Sequence, residues 1–520
     1  MLQGHPQFAM ARRPATSDVK AAPGTPPKPP ILWYPLGLSA AYLAHVYLET
    51  GVHPAAAARS VVVVLVATAL VQLVLTLSLR DRDRGALATA GLLVLIPAAH
   101  PAERAVVVLA LLAVVAGLMA WIIHRGRSLV RISWILQSFT AVLLMVSVVR
   151  FAFTPLPGQM ARDLLPPQGA SAAPADPGDP DIVVVLLDGY PGAASLDRVF
   201  DVDDELADAL RERGFEVAAH AHSNYSQTVL TLASMFNFGL LDQLPETRDS
   251  VAAGRFPRPL LRGLVNDSAM SRLLRERGYR IVATASGWED SAFHSADVFL
   301  DQGGLNEFEI ALLRSTAAWD LLGLTGWDLV GDQQRARVHS NLDQLRAIAE
   351  GMGDQPTFAF VHVPAPHAPI VFDAQGGPVP VDLRTPYDYG TGLVGSELIR
   401  TRYREQLQYL DRSFIEALDD ALAALPKDAV VVVFADHGPR SRLDATDDLR
   451  LQEAVDILLA VRAPGRTGLL PDDTTLVNVL PAVFDAYLGT SLPRSADHSF
   501  VSGEVDLLPF VEVPAPSPTP

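Results

Sequence analysis

Residues 181–189 read DIVVVLLDG, and this stretch decides the fold of the second half of the chain. Every position from 182 to 187 is apolar, and most are β-branched. A strand with one solvent-exposed face alternates apolar and polar residues, so an unbroken run indicates a strand buried on both faces. Two further runs of this kind are FAFVHV at 358–363 and AVVVVFA at 429–435.

Helical and strand patterns alternate around these runs. Weaker strand patterns and amphipathic helix patterns occur between them, and the strands fall at 215–219, 279–285 and 457–461, with helices at 206–213, 270–277, 397–425 and 476–488. Strands that alternate with helices predict an α/β sandwich around a mostly parallel central sheet. We assign this domain to residues 181–510, and the Pro-rich residues 511–520 to a disordered tail.

Three of the predicted strands end in side chains that bind metals. Asp188 follows the first run, His362 and His367 lie in and after the second, and Asp436 and His437 follow the third. Ligands of such sheets bind beyond the carboxyl ends of the strands. Carboxylates with imidazoles suit Zn²⁺ or Mn²⁺, and a chain without cysteine has no thiolate site. Taken alone, an Asp at a strand end usually belongs to a turn, and an isolated histidine usually has a structural role.

A candidate nucleophile precedes a predicted helix. Residues 223–237 read SNYSQTVLTLASMFN, and Thr228 lies where the helix should begin. The N–H groups and dipole of a helix start stabilise a developing anion, and a bound metal would lower the pKa of a hydroxyl group. The alternative interpretation is a helix cap with Ser and Thr at their usual positions.

The charge distribution divides the chain in two. Residues 1–154 carry 13 Lys and Arg against 5 Asp and Glu, whereas the remainder carries 28 against 53. A basic apolar part joined to an acidic part indicates a membrane region and a water-exposed region. The acidic domain argues against nucleic acid as a partner.

Five apolar segments occupy the predicted transmembrane domain, residues 31–154. They follow a disordered cytoplasmic tail at 1–30 and precede a Pro- and Ala-rich linker at 155–180, and they span 31–50, 58–79, 86–100, 105–123 and 132–153. The third is shorter than the roughly 20 residues a spanning helix needs. Arg and Lys concentrate in the tail and in the second and fourth connectors, which places these parts in the cytoplasm. Five crossings would then place everything after Phe153 on the outside of the membrane.

These motifs together resemble the alkaline phosphatase superfamily on its sulfatase-like branch. The resemblance rests on Asp188-Gly189, the segment 223–228, PHAP at 366–369 and DHG at 436–438. Five apolar segments before an outward-facing domain are similar to lipoteichoic acid synthases and lipid A phosphoethanolamine transferases.

The resemblance implies a role for each site residue. Asp188, Asp436 and His437 would bind a divalent metal together with the oxygen of Thr228, which would be the nucleophile. His367 would be a catalytic acid or would bind the phosphoryl group. The remaining candidates bind substrate: His362 by its nearness to His367, and Asn224 and Arg440 by their polar groups. Asn224 would equally hold a turn, and Arg440 would equally be a solvated surface residue.

The sequence also departs from the family. The nucleophile segment lacks the C/S-x-P-x-R motif of sulfatases that mature a formylglycine, which disfavours sulfate-ester hydrolysis. No histidine occurs between 438 and 451, so we predict one metal ion, zinc or manganese, with a second left open. The predicted function is transfer of a phospholipid headgroup, through a phospho-Thr intermediate, to a glycan or lipid of the cell envelope. The alternatives are a membrane-tethered phosphoester or sulfoester hydrolase and a non-catalytic scaffold with a degenerate enzyme fold.

Overall fold

A seven-stranded sheet forms the centre of the second half of the chain. The computed structural model describes residues 31–98, 117, 129–153, 178–244, 247, 258–316, 319, 322, 325–381, 397–439, 448–503 and 507–514. The strands in these ranges are β1 (Ile182–Leu187), β2 (Glu216–Val217), β3 (His220–His222), β4 (Arg280–Thr284), β5 (Val298–Leu300), β6 (Thr357–Val363), β7 (Val430–Phe434), β8 (Leu459–Arg462), β9 (Asp473–Thr475), β10 (Phe500–Val501) and β11 (Val511–Glu512).

The sheet is mostly parallel, as the sequence predicts. Its strand order is β2-β8-β7-β1-β6-β4-β5. The pairs among β7, β1, β6, β4 and β5 are parallel, and β8 joins antiparallel to both β7 and β2. Every residue of β1, β6 and β7 is buried, which explains their unbroken apolar composition.

Helices precede the sheet and alternate with its strands along the chain. Before the sheet lie α1 (Tyr34–Thr50), α2 (Pro54–Leu79), α3 (Arg82–Ala98) and α4 (Val130–Phe153). The remaining helices are α5 (Ala193–Ser195, which continues into a π-helical turn at Leu196–Phe200), α6 (Glu205–Glu212), α7 (Thr228–Met235), α8 (Arg258–Asn266), α9 (Ala269–Glu276), α10 (Glu307–Arg314), α11 (Leu329–Glu350), α12 (Glu397–Ala424), α13 (Asp448–Glu453) and α14 (Val479–Leu488, after a 3₁₀ turn at Leu476–Asn478).

The register of the central strands brings the predicted site residues to one edge. β1 lies between β6 and β7, and Leu186 is opposite both His362 and Phe434. The three strands run in the same direction, so their carboxyl ends meet. The residues that follow β1, β6 and β7 therefore converge although they are far apart in the sequence.

The N-terminal helices match four of the five apolar segments. Within the described residues, α2 and the part of α4 from Val130 to Ala152 are long and apolar enough to cross a membrane. α1 and α3 have 17 residues each, and α1 packs against α4. The tail at 1–30, the segment at 105–123, residues 155–177 of the linker and Arg440 lie outside the described residues.

Helix α10 lies between the N-terminal helices and the sheet domain. A capping box between Asn306 and Glu309 fixes its first turn. Phe308 is fully buried against Leu43 of α1 and other apolar side chains of α1 and α2. The Glu309 carboxylate accepts hydrogen bonds from Arg59 of α2, with an Nε–Oε1 distance of 2.8 Å. The two parts of the chain are thus joined by apolar packing and by an ion pair.

Candidate metal centre and active site

Four predicted site residues meet at the carboxyl ends of β1, β6 and β7. Nε2 of His437 lies 3.6 Å from Asp188 Oδ1 and 3.6 Å from Asp436 Oδ2. One ligand atom each from Asp188, His367 and His437 lies within 4.8 Å of the others. Two ligand atoms on a tetrahedral zinc ion, with bonds of ~2.1 Å, lie roughly 3.4 Å apart. The spacing of these atoms suits one divalent ion.

Two carboxylate oxygens are buried here without a hydrogen-bond partner. They are Asp188 Oδ1 and Asp436 Oδ2, and both side chains are almost fully buried. A buried carboxylate oxygen without a partner is costly unless it binds a cation. The donor set of two carboxylates and two imidazoles therefore fits a hard or borderline metal such as Mn²⁺ or Zn²⁺.

The histidine rings are oriented by backbone carbonyls. Nδ1 of His437 contacts the Gly438 carbonyl at 2.9 Å, and Nδ1 of His367 contacts the Ala368 carbonyl at 2.8 Å. If each Nδ1–H donates to its carbonyl, Nε2 can bind a metal through its lone pair or, when protonated, donate to a phosphoryl oxygen. The backbone N–H of His367 also donates to the Asp188 carbonyl at 2.9 Å, which fixes the loop after β6 beside β1.

The position after Asp188 requires glycine. Gly189 has φ +75°, which side chains with a Cβ rarely adopt, and a Cβ there would lie 3.4 Å from the His437 ring. This turn lets the Gly189 N–H donate to Asp436 Oδ1 at 3.1 Å. The Asp-Gly pair is therefore both a turn and part of the site.

The two carboxylates have opposite pKa shifts. Burial raises the pKa of Asp436 to about 7, the neighbouring Asp188 charge adds to the rise, and a hydrogen bond with Thr228 opposes it. Burial would also raise the pKa of Asp188, but His367, His362 and His437 together hold it well below its usual value. Without a metal, one carboxylate is ionised and the other holds the proton.

Thr228 is the first residue of α7, and its hydroxyl group lies beside the Asp436 carboxylate. It lines a cavity of about 400 Å³ together with Asp188, His362 and His367. A hydroxyl group at a helix start and next to a cluster of metal-type ligands has the placement that a nucleophile needs.

His362 lies behind Asp188. Its ring is fully buried, with Nε2 3.0 Å from Asp188 Oδ2 and Nδ1 2.9 Å from Ser291 Oγ. Both nitrogens are therefore used within the protein. The interpretation of His362 as a substrate-binding residue is corrected to that of a residue that orients Asp188.

Asn224, unlike His362, does not line the cavity. Its side-chain amide donates to the His498 carbonyl at 2.9 Å and its oxygen accepts from Val477 N–H at 2.8 Å. The side chain is buried, so it joins loops of the fold. Of the two interpretations, the one in which Asn224 holds a turn agrees with the structure.

Most of the cavity wall consists of residues that no sequence motif marks. The further lining residues come from the loop after β4, from α8, from α10 and from the last residue of α1, and they are Trp288, Asp290, Ser291, Arg258, Glu307, Ile310, Ala311, Arg314 and Thr50. The loop 286–291 follows β4 of the same sheet. It could have been predicted, because ligands of such sheets bind beyond the carboxyl ends of the strands. Nothing in the sequence pattern marks α10 or Thr50.

Arg262 joins three parts of this wall. Its guanidinium group is almost fully buried, and it donates to Asp290 Oδ1 at 2.7 Å, Glu307 Oε1 at 3.1 Å and the Thr50 carbonyl at 2.7 Å. The two acidic partners keep the pKa of Arg262 above its usual value despite its burial. The end of α1 is thereby fixed to the catalytic domain beside the cavity.

Solved structures with a similar fold include three bacterial domains, two of which are named as phosphoethanolamine transferases. They are the C-terminal periplasmic domain of EcEptC from Escherichia coli in complex with zinc (12% identity, TM-score 0.42, covering 66% of this chain and 97% of that one), the corresponding EptC domain from Campylobacter jejuni (12%, 0.37, 60% and 90%), and the soluble domain of lipooligosaccharide phosphoethanolamine transferase A from Neisseria meningitidis (12%, 0.36, 62% and 92%).

A search of the curated proteins gave no match to this sequence. The family model described as Sulfatase matches residues 194–464, a segment that includes Thr228, His367, Asp436 and His437. Because this match covers more than half of the chain, the chain belongs to the sulfatase family of enzymes, in the alkaline phosphatase superfamily that its motifs resemble.

Proposed function

We propose that this chain is a membrane-anchored, metal-dependent phosphotransferase that moves a phospholipid headgroup to an acceptor in the cell envelope. One observation supports it most. The hydroxyl group of Thr228 lies beside the cluster of Asp188, His367 and His437, in a cavity whose wall includes Thr50 at the end of an apolar N-terminal helix.

A zinc or manganese ion would be held by Asp188, Asp436 and His437, with the Thr228 oxygen as a further ligand. When bound, the ion would neutralise charge on the phosphoryl oxygens and lower the pKa of the Thr228 hydroxyl group. The unpartnered oxygens of Asp188 and Asp436 support this ligand set. A second ion is not part of the proposal.

In the first step, the Thr228 oxygen attacks the phosphorus of the lipid headgroup. The Thr228 proton leaves toward the neighbouring Asp436 carboxylate. The bond between phosphorus and the glycerol oxygen breaks, and protonated His367 gives its proton to that oxygen, which leaves as diacylglycerol. The headgroup remains on the enzyme as a phospho-Thr ester.

In the second step, a hydroxyl group of the acceptor attacks the same phosphorus. Its proton goes to His367, the bond to the Thr228 oxygen breaks, and that oxygen regains a proton from Asp436. The enzyme then returns to its starting state. The acceptor is a glycan or lipid on the outer side of the membrane, because that is where the proposed topology puts the catalytic domain.

Five membrane crossings at residues 31–154 would place residues 181–510 outside the cytoplasm of a bacterial cell. Two described helices that pass the length and hydropathy test support part of this topology. The arginines at the start of α3 and just before it, together with the basic tail, support its orientation. A donor lipid in the same bilayer is the simplest reason for attaching the catalytic domain to it.

The test of the nucleophile is Thr228→Ala, with Thr228→Ser as its matched control. We expect Thr228→Ala to lower turnover of a phospholipid at least ~10³-fold, because no oxygen replaces the nucleophile. Zinc bound per chain should stay near the wild-type value, and Thr228→Ser should retain measurable turnover. Full activity of Thr228→Ala would refute the assignment.

The same preparation separates transfer from hydrolysis, the second candidate, which family membership favours. Phospholipid labelled in its headgroup is incubated with the full chain in vesicles that contain envelope glycans. Label on the glycan supports transfer, whereas label released to water supports hydrolysis. Brief acid quenching followed by peptide mass analysis should find the headgroup on the peptide that contains Thr228.

A further inference from the structure

A second, apolar cavity lies among the N-terminal helices. It has a volume of about 960 Å³, within the ~300–1,000 Å³ range of small-molecule sites. Side chains of α1, α2, α3 and α4 line it, among them Leu48, Val64, Ala67, Leu92 and Val146. Most of its surface is hydrocarbon, so its ligand must be largely apolar.

This cavity and the active-site cavity share two structural elements. Leu312 and Leu313 of α10 line the apolar cavity, whereas Ala311 and Arg314 line the active-site cavity. In the last turn of α1, Leu48 lines the apolar cavity and Thr50 lines the active-site cavity. Neighbouring residues of one helix turn lie only a few ångströms apart. The two cavities therefore border the same stretches of α10 and α1.

Charged groups stand at the end of the apolar cavity nearest α10. Arg150 of α4 pairs with Glu49 of α1, with an Nη2–Oε1 distance of 2.9 Å, and its guanidinium group lies 3.5 Å from His45 Nδ1. His45 and Arg150 both line the cavity. The cavity thus has hydrocarbon walls and a polar mouth beside the catalytic domain, which is the polarity pattern of an amphiphile.

The length of the cavity agrees with one bilayer leaflet. Its lining on α1 runs from Leu38 to Leu48. Ten residues of helix rise about 15 Å, which is half of the ~30 Å hydrocarbon thickness of a bilayer. An acyl chain that starts at the polar mouth would fill this depth without crossing the membrane midplane.

We propose that this cavity binds an acyl chain of the donor glycerophospholipid while its headgroup phosphate lies in the active-site cavity. This inference rests on the proposed function, since it assigns the donor's apolar part. Lipid tails in the bilayer are already in an apolar medium, so the site adds little affinity for the tail itself. Its effect is positional: it holds the phosphorus near Thr228 and converts a collision in the membrane into a bound arrangement.

The first test measures binding without chemistry. The full-length Thr228→Ala chain, in vesicles of phosphatidylethanolamine and phosphatidylglycerol, is irradiated with a phospholipid that carries a diazirine in its acyl chain. We expect label on peptides of α1, α2 and α4, and a loss of at least fivefold in Ala67→Trp, whose indole would occupy part of the cavity. Equal labelling of Ala67→Trp and of its control would overturn the proposal.

The matched control is Ala69→Trp. Ala69 is an exposed alanine on the same helix, two residues from Ala67, and does not line the cavity. Two residues of helix turn the side chain by about 200°, so the new indole faces away. A photoreactive residue in Ala67→benzoylphenylalanine identifies any other occupant. Crosslinks to residues 105–123 in place of lipid would also overturn the proposal.

The second test separates this inference from the proposed function. In the active chain, Ala67→Trp should lower turnover of the diacyl donor about tenfold and leave turnover of bis(p-nitrophenyl) phosphate, which has no acyl chain, unchanged. Equal turnover of the diacyl donor in the two Trp variants overturns the acyl site. If wild type turns over no phospholipid, the proposed function fails, and the labelling experiment alone decides whether the cavity binds a lipid chain.

Discussion

Asp436→Asn should change the stability of the protein in opposite directions with and without metal. The wild-type carboxylate is fully buried beside Asp188, and its Oδ1 accepts the Gly189 N–H at 3.1 Å. Asparagine keeps the size of the side chain and an oxygen for this hydrogen bond. It removes the negative charge that a divalent ion would bind and that repels Asp188 when no ion is present.

The magnitude follows from the pKa of Asp436, which rises from 3.8 to about 7 through burial and through the charge of Asp188. The metal-free folded state therefore keeps a proton that the unfolded chain releases, and wild-type stability falls as the pH rises from about 4 to about 7. At pH 8 the ionised form costs up to about 4 kcal/mol, at 1.36 kcal/mol per pKa unit. We expect Asp436→Asn to be more stable than wild type by about 2–4 kcal/mol in EDTA at this pH.

With zinc bound, the wild type should be more stable than Asp436→Asn. A ligand at 100 times its dissociation constant stabilises the folded state by about 2.7 kcal/mol, and the variant, which lacks one charged ligand, should lose most of this gain. The assay is urea unfolding of the full chain in detergent micelles at pH 5 and pH 8, with EDTA or with zinc. Asp354→Asn, at an exposed site, controls for the loss of one negative charge. A metal-free Asp436→Asn that is less stable than wild type at pH 8, or an equal effect of zinc on both proteins, would refute the reasoning.

Two further variants test residues next to the site. His362→Ala should weaken zinc binding about 10–100-fold, because it removes the imidazole that holds Asp188 Oδ2 at 3.0 Å, and isothermal titration with unchanged affinity would contradict this role. Asp411 accepts a hydrogen bond from the Tyr190 hydroxyl group, and burial raises the pKa of Asp411 to about 7. Because the ionised carboxylate is therefore unfavourable, Asp411→Asn should stabilise the protein by about 1–3 kcal/mol at pH 8 and by less at pH 4. Urea unfolding at both pH values measures the difference in stability between the variant and the wild type. A difference that does not change with pH would show that the raised pKa of Asp411 is not its cause.

The part of the site that lies at strand ends could be predicted from the sequence. Asp188, His367 and the pair at 436–437 each follow a run of apolar residues, and parallel strands bring such positions to one edge. The start of α7 at Thr228 was predictable as well, because hydroxyl-bearing residues stand before an apolar helical pattern. These inferences need only local patterns and the general geometry of parallel sheets.

The roles of His362 and Asn224 could not be predicted, because they depend on which atoms lie around each side chain. His362 is on β6, opposite Leu186 of β1, and only the packed structure shows that its ring meets Asp188 on one side and Ser291 on the other. The partners of Asn224 lie more than 250 positions away in the chain. No periodicity in the sequence encodes contacts of this kind.

The cavity wall that the sequence did not predict is also the part that joins the two halves of the chain. Arg262 binds the Thr50 carbonyl and two acidic residues of the catalytic domain. Phe308 of α10, the helix that lines the cavity, packs on α1. The N-terminal helices therefore help to position the cavity wall, in addition to their proposed role of anchoring the chain in the membrane. For the proposed phosphotransferase, whose donor lipid would enter from the bilayer, these contacts would keep the pocket aligned with the helices. The same contacts that fix α10 would thus place a lipid phosphate beside Thr228.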